Sequence, residues 1–223
     1  EKIVAASDVV MVARGDLAYE IGPELVPAIQ RSIIALCQKY AKISIVATQV
    51  LGTMAENPQA TRAEVSDIAN AVIQGADAIM LSEETAMGKY PVEAVATMKR
   101  TILATQDNVM TQPLAAPDQM DSTAAVISRS AVKVAHHLNS EAIVAETKSG
   151  ATAAYIAANR PSRRIISVTS NARVAQQLCL MYGVLSFIRP DGKDAGYELA
   201  KELAKEGQLL KENSNVVLVS GQQ

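Results

Sequence analysis

Tryptophan is absent from the 223-residue chain, and phenylalanine occurs once, at Phe187. A core without large aromatic rings has to be filled by Val, Ile, Leu, Ala and Met. That suits parallel sheets covered by Ala-rich helices, where buried strands read as continuous aliphatic runs. Cysteine is scarce too: Cys37 and Cys179 lie far apart, both in segments of helical periodicity and without metal-ligand spacing. This argues against a disulfide scaffold or a thiolate metal site and predicts two reduced, buried thiols in a cytosolic protein. Charge of either sign is barely in excess, at a net −2 with an isoelectric point near 5.8. No broad nucleic-acid surface is therefore expected. No apolar run approaches the ~18 residues that span a bilayer, and no basic start with an apolar core marks a secretory leader. The opening Glu1-Lys2-Ile3-Val4 carries no capping signal of its own, so further sequence is expected upstream.

What is present is alternation. Hydrophobic residues make up 49% and charged residues 20%, ordinary for a globular protein. Val9–Val12, Ile43–Ala47 and Ala78–Leu81 read as short buried strands. Between and after them, Pro23–Tyr40, Thr61–Gln74 and Pro91–Met110 have apolar residues at helical spacing. Thr61 and Glu64 form a Thr-x-x-Glu capping box, and Gly75 stops that helix. Thr111–Ser122, with two prolines, is the best linker, which divides the chain into domains at 1–112 and 113–223. Beyond it the pattern restarts. Helices are expected at Thr123–Leu138, Thr152–Ala158, Ala172–Tyr182 and Ala195–Lys205, and strands at Ala142–Ala145, Ile165–Val168, Val184–Ile188 and Val216–Val219. Both halves read as α/β with parallel sheets.

In such sheets ligands bind beyond the carboxyl ends of the strands. Ala13, Arg14, Gly15 and Asp16 follow the first strand, Thr48 and Gln49 the second, and Ser82, Glu83, Glu84 and Thr85 the third. Asp16 is the hard oxygen donor that Mg²⁺ takes, one or two carboxylates at a time. Gly15 allows close approach to the backbone. If a helical turn begins at Gly15 or Asp16, its free N–H groups would hold a carboxylate or phosphate. A plainer reading pairs Arg14 with Asp16 and makes Gly15 a turn glycine.

The longer strings narrow the choice. Ser7-Asp8-Val9-Val10-Met11-Val12-Ala13-Arg14-Gly15-Asp16-Leu17 resembles a signature segment of the pyruvate kinase family. So do Val46-Ala47-Thr48-Gln49-Val50-Leu51, the stretch from Thr61 to Val72, and Gly75 to Ala86, continuing through Gly88-Lys89-Tyr90-Pro91. These segments occur in family order and spacing. The resemblance implies a partial (β/α)₈ TIM barrel, strands six to eight, followed by a three-layer α/β carboxy-terminal domain with a mostly parallel sheet. It implies phosphoryl transfer from phosphoenolpyruvate to ADP, giving pyruvate and ATP in glycolysis, with Mg²⁺ (or Mn²⁺) and K⁺, in a cytoplasmic homo-oligomer that is a tetramer in the family.

By the same resemblance, Asp16 is one of two metal carboxylates. Ala13, Arg14, Gly15, Asp16 and Thr48 border the substrate, with the N–H groups of Gly15 and Asp16 on its carboxylate. Thr48 and Ser82 order the water that protonates the enolate carbon. Arg14 acts behind the site or across a subunit contact, and Arg62, Glu64 and Asp67 form a structural network. The family's phosphate-neutralising Lys and second metal carboxylate lie before Glu1, and the K⁺ ligands further upstream still. Glu83 stands where the family usually has Gly, and Pro58-Gln59-Ala60-Thr61 replaces Pro-Arg-Pro-Thr. A barrel short of five strands is expected to self-associate.

In the second half, Glu146-Thr147-Lys148-Ser149-Gly150-Ala151-Thr152 joins a strand to a helix. Thr147, Lys148, Ser149, Gly150 and Thr152 fit an anion nest, and the matching loop of many family members binds a phosphorylated effector. An ordinary capped turn is the other reading. His136 and His137 are adjacent, so they face different ways and make a poor metal site. Two functional classes follow: part of a phosphotransferase, or a non-catalytic module for phosphate-effector binding and oligomerisation.

Overall fold

A computed structural model describes residues 1–109, 113–114, 122–192, 194–207 and 209–220. The chain forms two compact units, Glu1–Gln38 with Lys42–Ala115 and Lys39–Ala41 with Ala116–Gln223. The linker expected over 111–122 lies outside the described residues, apart from residues 113, 114 and 122.

The first unit runs α1 (Lys2–Ala6), β1 (Val9–Ala13), α2 (Arg14–Ile21), α3 (Val26–Lys39), β2 (Ile43–Ala47), α4 (Arg62–Ile73), β3 (Ala78–Met80), α5 (Glu83–Ala86) and α6 (Pro91–Asn108). The strands pair in the order β1-β2-β3, all parallel, with Ala13 opposite Ala47 and Ala47 opposite Met80. The helix expected from Pro23 begins instead with a 3₁₀ turn at Pro23–Leu25. The α-helix proper starts at Val26, with Pro27 in its first turn, where a missing N–H is harmless. The short helices α2 and α5 carry no apolar periodicity, and α2 buries no residue; sequence pattern could not have announced them.

Side chains on alternate faces of β1–β3 meet different surroundings. Val46 and Ile79 pack with Ile34 of α3 and Ala71 of α4, so the helices cover that face. The opposite face holds Val9, Met11 and Met80, all exposed. Asp77 secures the start of β3 to β2: one of its carboxylate oxygens accepts from both the N–H and the hydroxyl of Ser44, each at 2.9 Å.

The second unit runs α7 (Thr123–His137), β4 (Ala142–Glu146), α8 (Ala151–Ala158), β5 (Arg164–Thr169), α9 (Ala172–Leu178), β6 (Val184–Ile188), α10 (Ala195–Glu206) and β7 (Val216–Ser220). Its strands are parallel in the order β6-β5-β4-β7. Ile143, Ala145 and Ile165 pack against α7, α8 and α9. Ala142, Val144, Ile166 and Val168 pack against Leu199, Ala200 and Leu203 of α10. Both faces are therefore covered, and the unit has the three-layer architecture expected. The chain leaves β4 towards β5 and β6, then returns to place β7 on the other side of β4. The strand order reverses between β4 and β7.

One expectation about cysteine fails. Cys37 is buried, but Cys179 is exposed, because α9 stops at Leu178 rather than continuing to Tyr182. A turn through Gly183, at φ +68°, follows and takes the chain into β6.

The capping box at α4 forms as predicted and extends further. Glu64 Oε2 accepts from the N–H and hydroxyl of Thr61, while Thr53 donates its N–H to Oε1 at 2.8 Å and its hydroxyl to Oε2 at 2.6 Å. Burial opposes ionisation of Glu64, yet the four hydrogen bonds outweigh it and hold its carboxyl below the usual carboxylate range. The stability this supplies is full above the ordinary carboxylate range and is lost as pH falls through the lowered folded-state value. Thermal melting of the native chain and Glu64→Gln should differ most near neutrality and converge in acid. A pH-independent difference would contradict this.

Candidate functional site

Parallel pairing delivers the expected residues of the first unit to one edge. The chain turns from β1 directly into α2, so Ala13, Arg14, Gly15 and Asp16 occupy the strand end and first helical turn. The turn begins one residue earlier than Gly15. Asp16 is exposed and engaged by no other described side chain, so the plain Arg14–Asp16 pair does not form.

Arg14 folds in the other direction. Its Nη1 donates to Asp67 of α4 at 2.6 Å, Nη2 to the carbonyls of Thr48 at 2.6 Å and Gln49 at 3.0 Å, and Nε to those of Thr48 and Ala47. Its side chain is only 11% exposed. The guanidinium fork thus gathers three consecutive carbonyls at the end of β2 and is itself fixed by one carboxylate. Those carbonyls need a grip, because Thr48 and Gln49 sit in the left-handed region, at φ +68° and +52°. Non-glycine residues held there cost on the order of 1–3 kcal/mol each. The strained turn aims the Thr48 hydroxyl at the first turn of α2, where it accepts the Gly15 N–H at 3.0 Å. The Gly15 N–H assigned to a substrate carboxylate is therefore taken by Thr48.

Ser82 follows β3 and is organised separately. Glu84 is 1% exposed; its carboxylate accepts the Leu51 N–H at 2.9 Å and the Ser82 N–H at 2.7 Å. This buried acid joins the turn after β2 to the end of β3. Nothing in the local residue pattern separates it from its exposed neighbour Glu83. Gly88 makes the close packing possible: a Cβ there would lie 2.5 Å from the Glu84 carbonyl oxygen. Of the expected network, Glu64 holds the Thr53 turn and Asp67 holds Arg14, while Arg62 is exposed and joins neither. Among the described residues no group of three or more His, Cys, Asp or Glu could hold a metal ion. Asp16 fits Mg²⁺ as one oxygen ligand and completes no site by itself.

In the second unit a cleft of about 140 Å³ opens at the carboxyl edge of the sheet. Thr147, Lys148, Ser149 and Thr152 line it, joined by Thr169 and Ser170 after β5, Arg189 after β6, and Glu146 and Ser220 at the ends of β4 and β7. Gly150 caps α8 at φ +89° without a side-chain cap, and its N–H donates to the Thr147 hydroxyl at 2.9 Å. Lys148 is exposed and engaged by no other described residue, whereas Arg189 pairs with Glu202 at 2.9 Å. Sequence reading reached the loop but missed Thr169, Ser170 and Arg189, which only the sheet order brings to it. Among the described residues no helix is long and apolar enough to cross a membrane.

A segment of parallel barrel with polar strand ends, joined to a three-layer α/β unit, defines the class of protein. Comparison with known proteins is specific. Residues 1–95 match the family described as pyruvate kinase, barrel domain, and residues 125–223 match pyruvate kinase, alpha/beta domain. A pyruvate kinase of Agrobacterium vitis is 43% identical over 226 residues, covering 99% of this chain and 47% of its own. One from Staphylococcus saprophyticus is 40% identical, covering 99% of this chain and 39% of its own. A crystal structure of a pyruvate kinase from Cryptosporidium parvum superposes with a TM-score of 0.91 at 34% identity, over 98% of this chain and 46% of that one. The chain belongs to the pyruvate kinase family. It spans about half or less of the length of these relatives.

If Arg14 maintains the strained turn, Arg14→Ala should cost about 2–3 kcal/mol in denaturant unfolding. It should also speed amide exchange at Gly15. Arg14→Lys should recover less than half of the loss, because an ammonium cannot fork to three carbonyls. Unchanged exchange at Gly15 in Arg14→Ala would contradict the assignment.

Proposed function

We propose that the chain is part of a cytoplasmic, homo-oligomeric pyruvate kinase, and that its first unit contributes one side of the site for phosphoryl transfer from phosphoenolpyruvate to ADP. In that reaction the bond between phosphorus and the enol oxygen breaks and a bond to a terminal ADP oxygen forms. The enolate carbon then takes a proton to give pyruvate. The chemistry rests on positioning and neutralisation of charge more than on covalent catalysis. The observation that carries the reading is the Arg14-held turn, which sets the Thr48 hydroxyl against the first turn of α2 beside the exposed carboxylate of Asp16.

On this reading Asp16 supplies one oxygen to Mg²⁺ (or Mn²⁺), whose bound charge would neutralise the phosphate and enolate oxygens. Ala13, Gly15 and Thr48 border the substrate carboxylate, and Arg14 positions them from behind. Thr48 and Ser82 order the water that protonates the enolate carbon. The family resemblance implies that the phosphate-neutralising Lys and the second metal carboxylate lie before Glu1, with the K⁺ ligands further upstream. The exposed face bearing Val9, Met11 and Met80 favours association with further chain or a second copy.

This chain alone is therefore expected to be inactive. Loss of a metal carboxylate and a phosphate Lys should exceed the ~2.7–4 kcal/mol typical of one electrostatic donor. A coupled assay of the purified chain with phosphoenolpyruvate and ADP should give no pyruvate above a no-protein control. Pyruvate formation abolished by Asp16→Asn would overturn this.

A second reading rests on the cleft of the second unit, lined by Lys148 and by the start of α8, where the Ala151 N–H has only a long 3.5 Å bond to the Ser149 hydroxyl. Thr147, Lys148, Ser149, Gly150 and Thr152 would bind a phosphorylated effector there. Calorimetry should detect inorganic phosphate binding to the chain, weakened about tenfold or more by Lys148→Ala. Equal binding by both proteins would refute this assignment.

A further inference from the structure

Covalent chemistry of the backbone singles out one bond of the second unit. Of the 11 glycines, Gly192 alone follows an aspartate or asparagine. Asp191 and Gly192 lie between β6, which ends at Ile188, and α10, which starts at Ala195. Both are exposed, and neither is in a helix, strand or turn. The Asp191 carboxylate and the Gly192 N–H each engage no described residue. The Gly192 carbonyl accepts one long bond, from the Ala195 N–H at 3.4 Å. A Cβ on Gly192 would meet nothing within 4 Å. On either side the chain is pinned. The Arg189 N–H donates to the Thr169 carbonyl at 3.1 Å. Glu146 Oε1 accepts the Gly196 N–H at 2.6 Å, and its Oε2 accepts the Ser220 hydroxyl at 2.6 Å. The rotational freedom of glycine is thus unrestrained at this one bond. Two similar bonds are held by the fold. Asn139 and Asn213 also precede a small residue, serine. Yet the Ser140 N–H donates to the Ala135 carbonyl at 2.9 Å, and the Ser214 N–H to that of Lys211 at 3.2 Å. A nitrogen whose hydrogen is already engaged resists deprotonation and cannot turn onto the preceding side chain.

We propose that Asp191–Gly192 is a self-modification site of the folded chain, where aspartate converts to isoaspartate through a cyclic imide. The Gly192 nitrogen bonds to the side-chain carboxyl carbon of Asp191. The nitrogen gives up its proton and the carboxyl its hydroxyl, so one water leaves. Water then reopens the ring at either carbonyl. Breaking the bond from nitrogen to the main-chain carbonyl leaves the chain running through the side-chain carbon, as isoaspartate. Breaking the other bond restores aspartate. Water is lost and regained, and no oxidant, reductant or second protein takes part. The product has one more carbon in its main chain and keeps a single carboxylate. Gly196 cannot shift to absorb that carbon, since a Cβ there would lie 2.7 Å from Glu146 Oε1. The open space around Gly192 absorbs it instead, so the fold tolerates the product.

Incubation of the full chain at physiological temperature and neutral pH tests this, with folding followed by circular dichroism. Peptide mapping by mass spectrometry with electron-transfer fragmentation then locates isoaspartate. It should accumulate at position 191 faster than at Asn139 or Asn213, with a transient form of the same peptide lighter by one water. Gly192→Ala has room for its methyl group and should slow the reaction roughly tenfold by restricting backbone rotation. Asp191→Glu would have to close a larger ring and should abolish it. Isoaspartate absent from position 191, or formed there no faster than at Asn139 and Asn213, overturns the proposal. So does an unchanged rate in Gly192→Ala. A rate that rises in proportion to the unfolded fraction across a urea series also overturns it, because the chemistry would then belong to the unfolded chain.

Discussion

Parallel strand direction is the constraint on which the rest of the structure depends. Within each described sheet every strand runs the same way, so that the carboxyl ends of that sheet, with the loops that follow them, fall on one of its edges. Residues 33 apart in the first unit and 74 apart in the second become neighbours there. Parallel strands need crossover connections, and the helices that make those crossovers supply the first turns and N–H groups that face the same edge. Register matters as much as direction. Ala13 opposite Ala47 brings Arg14 within reach of the carbonyls after β2, and Glu146 opposite Ser220 lets one carboxylate join two strands and a helix.

The two units use this edge with different degrees of enclosure. In the second, helices cover both faces of the sheet, and Ile143, Ile165 and Ile166 are fully buried. A rigid core of that kind can hold a small cleft in fixed geometry. In the first unit helices cover one face, while Met11 on the other is half exposed. The edge there is held by polar devices rather than by enclosure: the Arg14 fork and the buried Glu84. Each joins the backbone of one strand end to a neighbouring segment, which is where an uncovered sheet would otherwise loosen.

Much of the fold was legible in the sequence because aliphatic strands and amphipathic helices leave different periodicities. The strand Ile43–Ala47 and the Thr61–Glu64 capping box formed as expected. Helix ends and short helices were less legible. The segment Arg14–Ile21 buries nothing and carries no stripe, and α9 ends four residues before Tyr182, which leaves Cys179 exposed. Around the first candidate site, the strand-end rule found Asp16, Thr48 and Ser82. It could not reveal that Arg14 turns away from Asp16 towards Asp67, because that choice depends on a helix 53 residues later in the chain.

The sequence by itself determined the class of architecture and the family, since both follow from local pattern and from the identity and spacing of residues along the chain. It also placed Ala13-Arg14-Gly15-Asp16 and the Thr147–Thr152 loop at strand ends. Only the tertiary structure decided what those residues touch. Gly15 gives its N–H to Thr48, Arg14 restrains a turn in the left-handed region, and Glu146 closes the N-terminus of α10. The reason is physical: a hydrogen bond depends on distance and direction in space, and sheet order and register, rather than separation along the chain, set both.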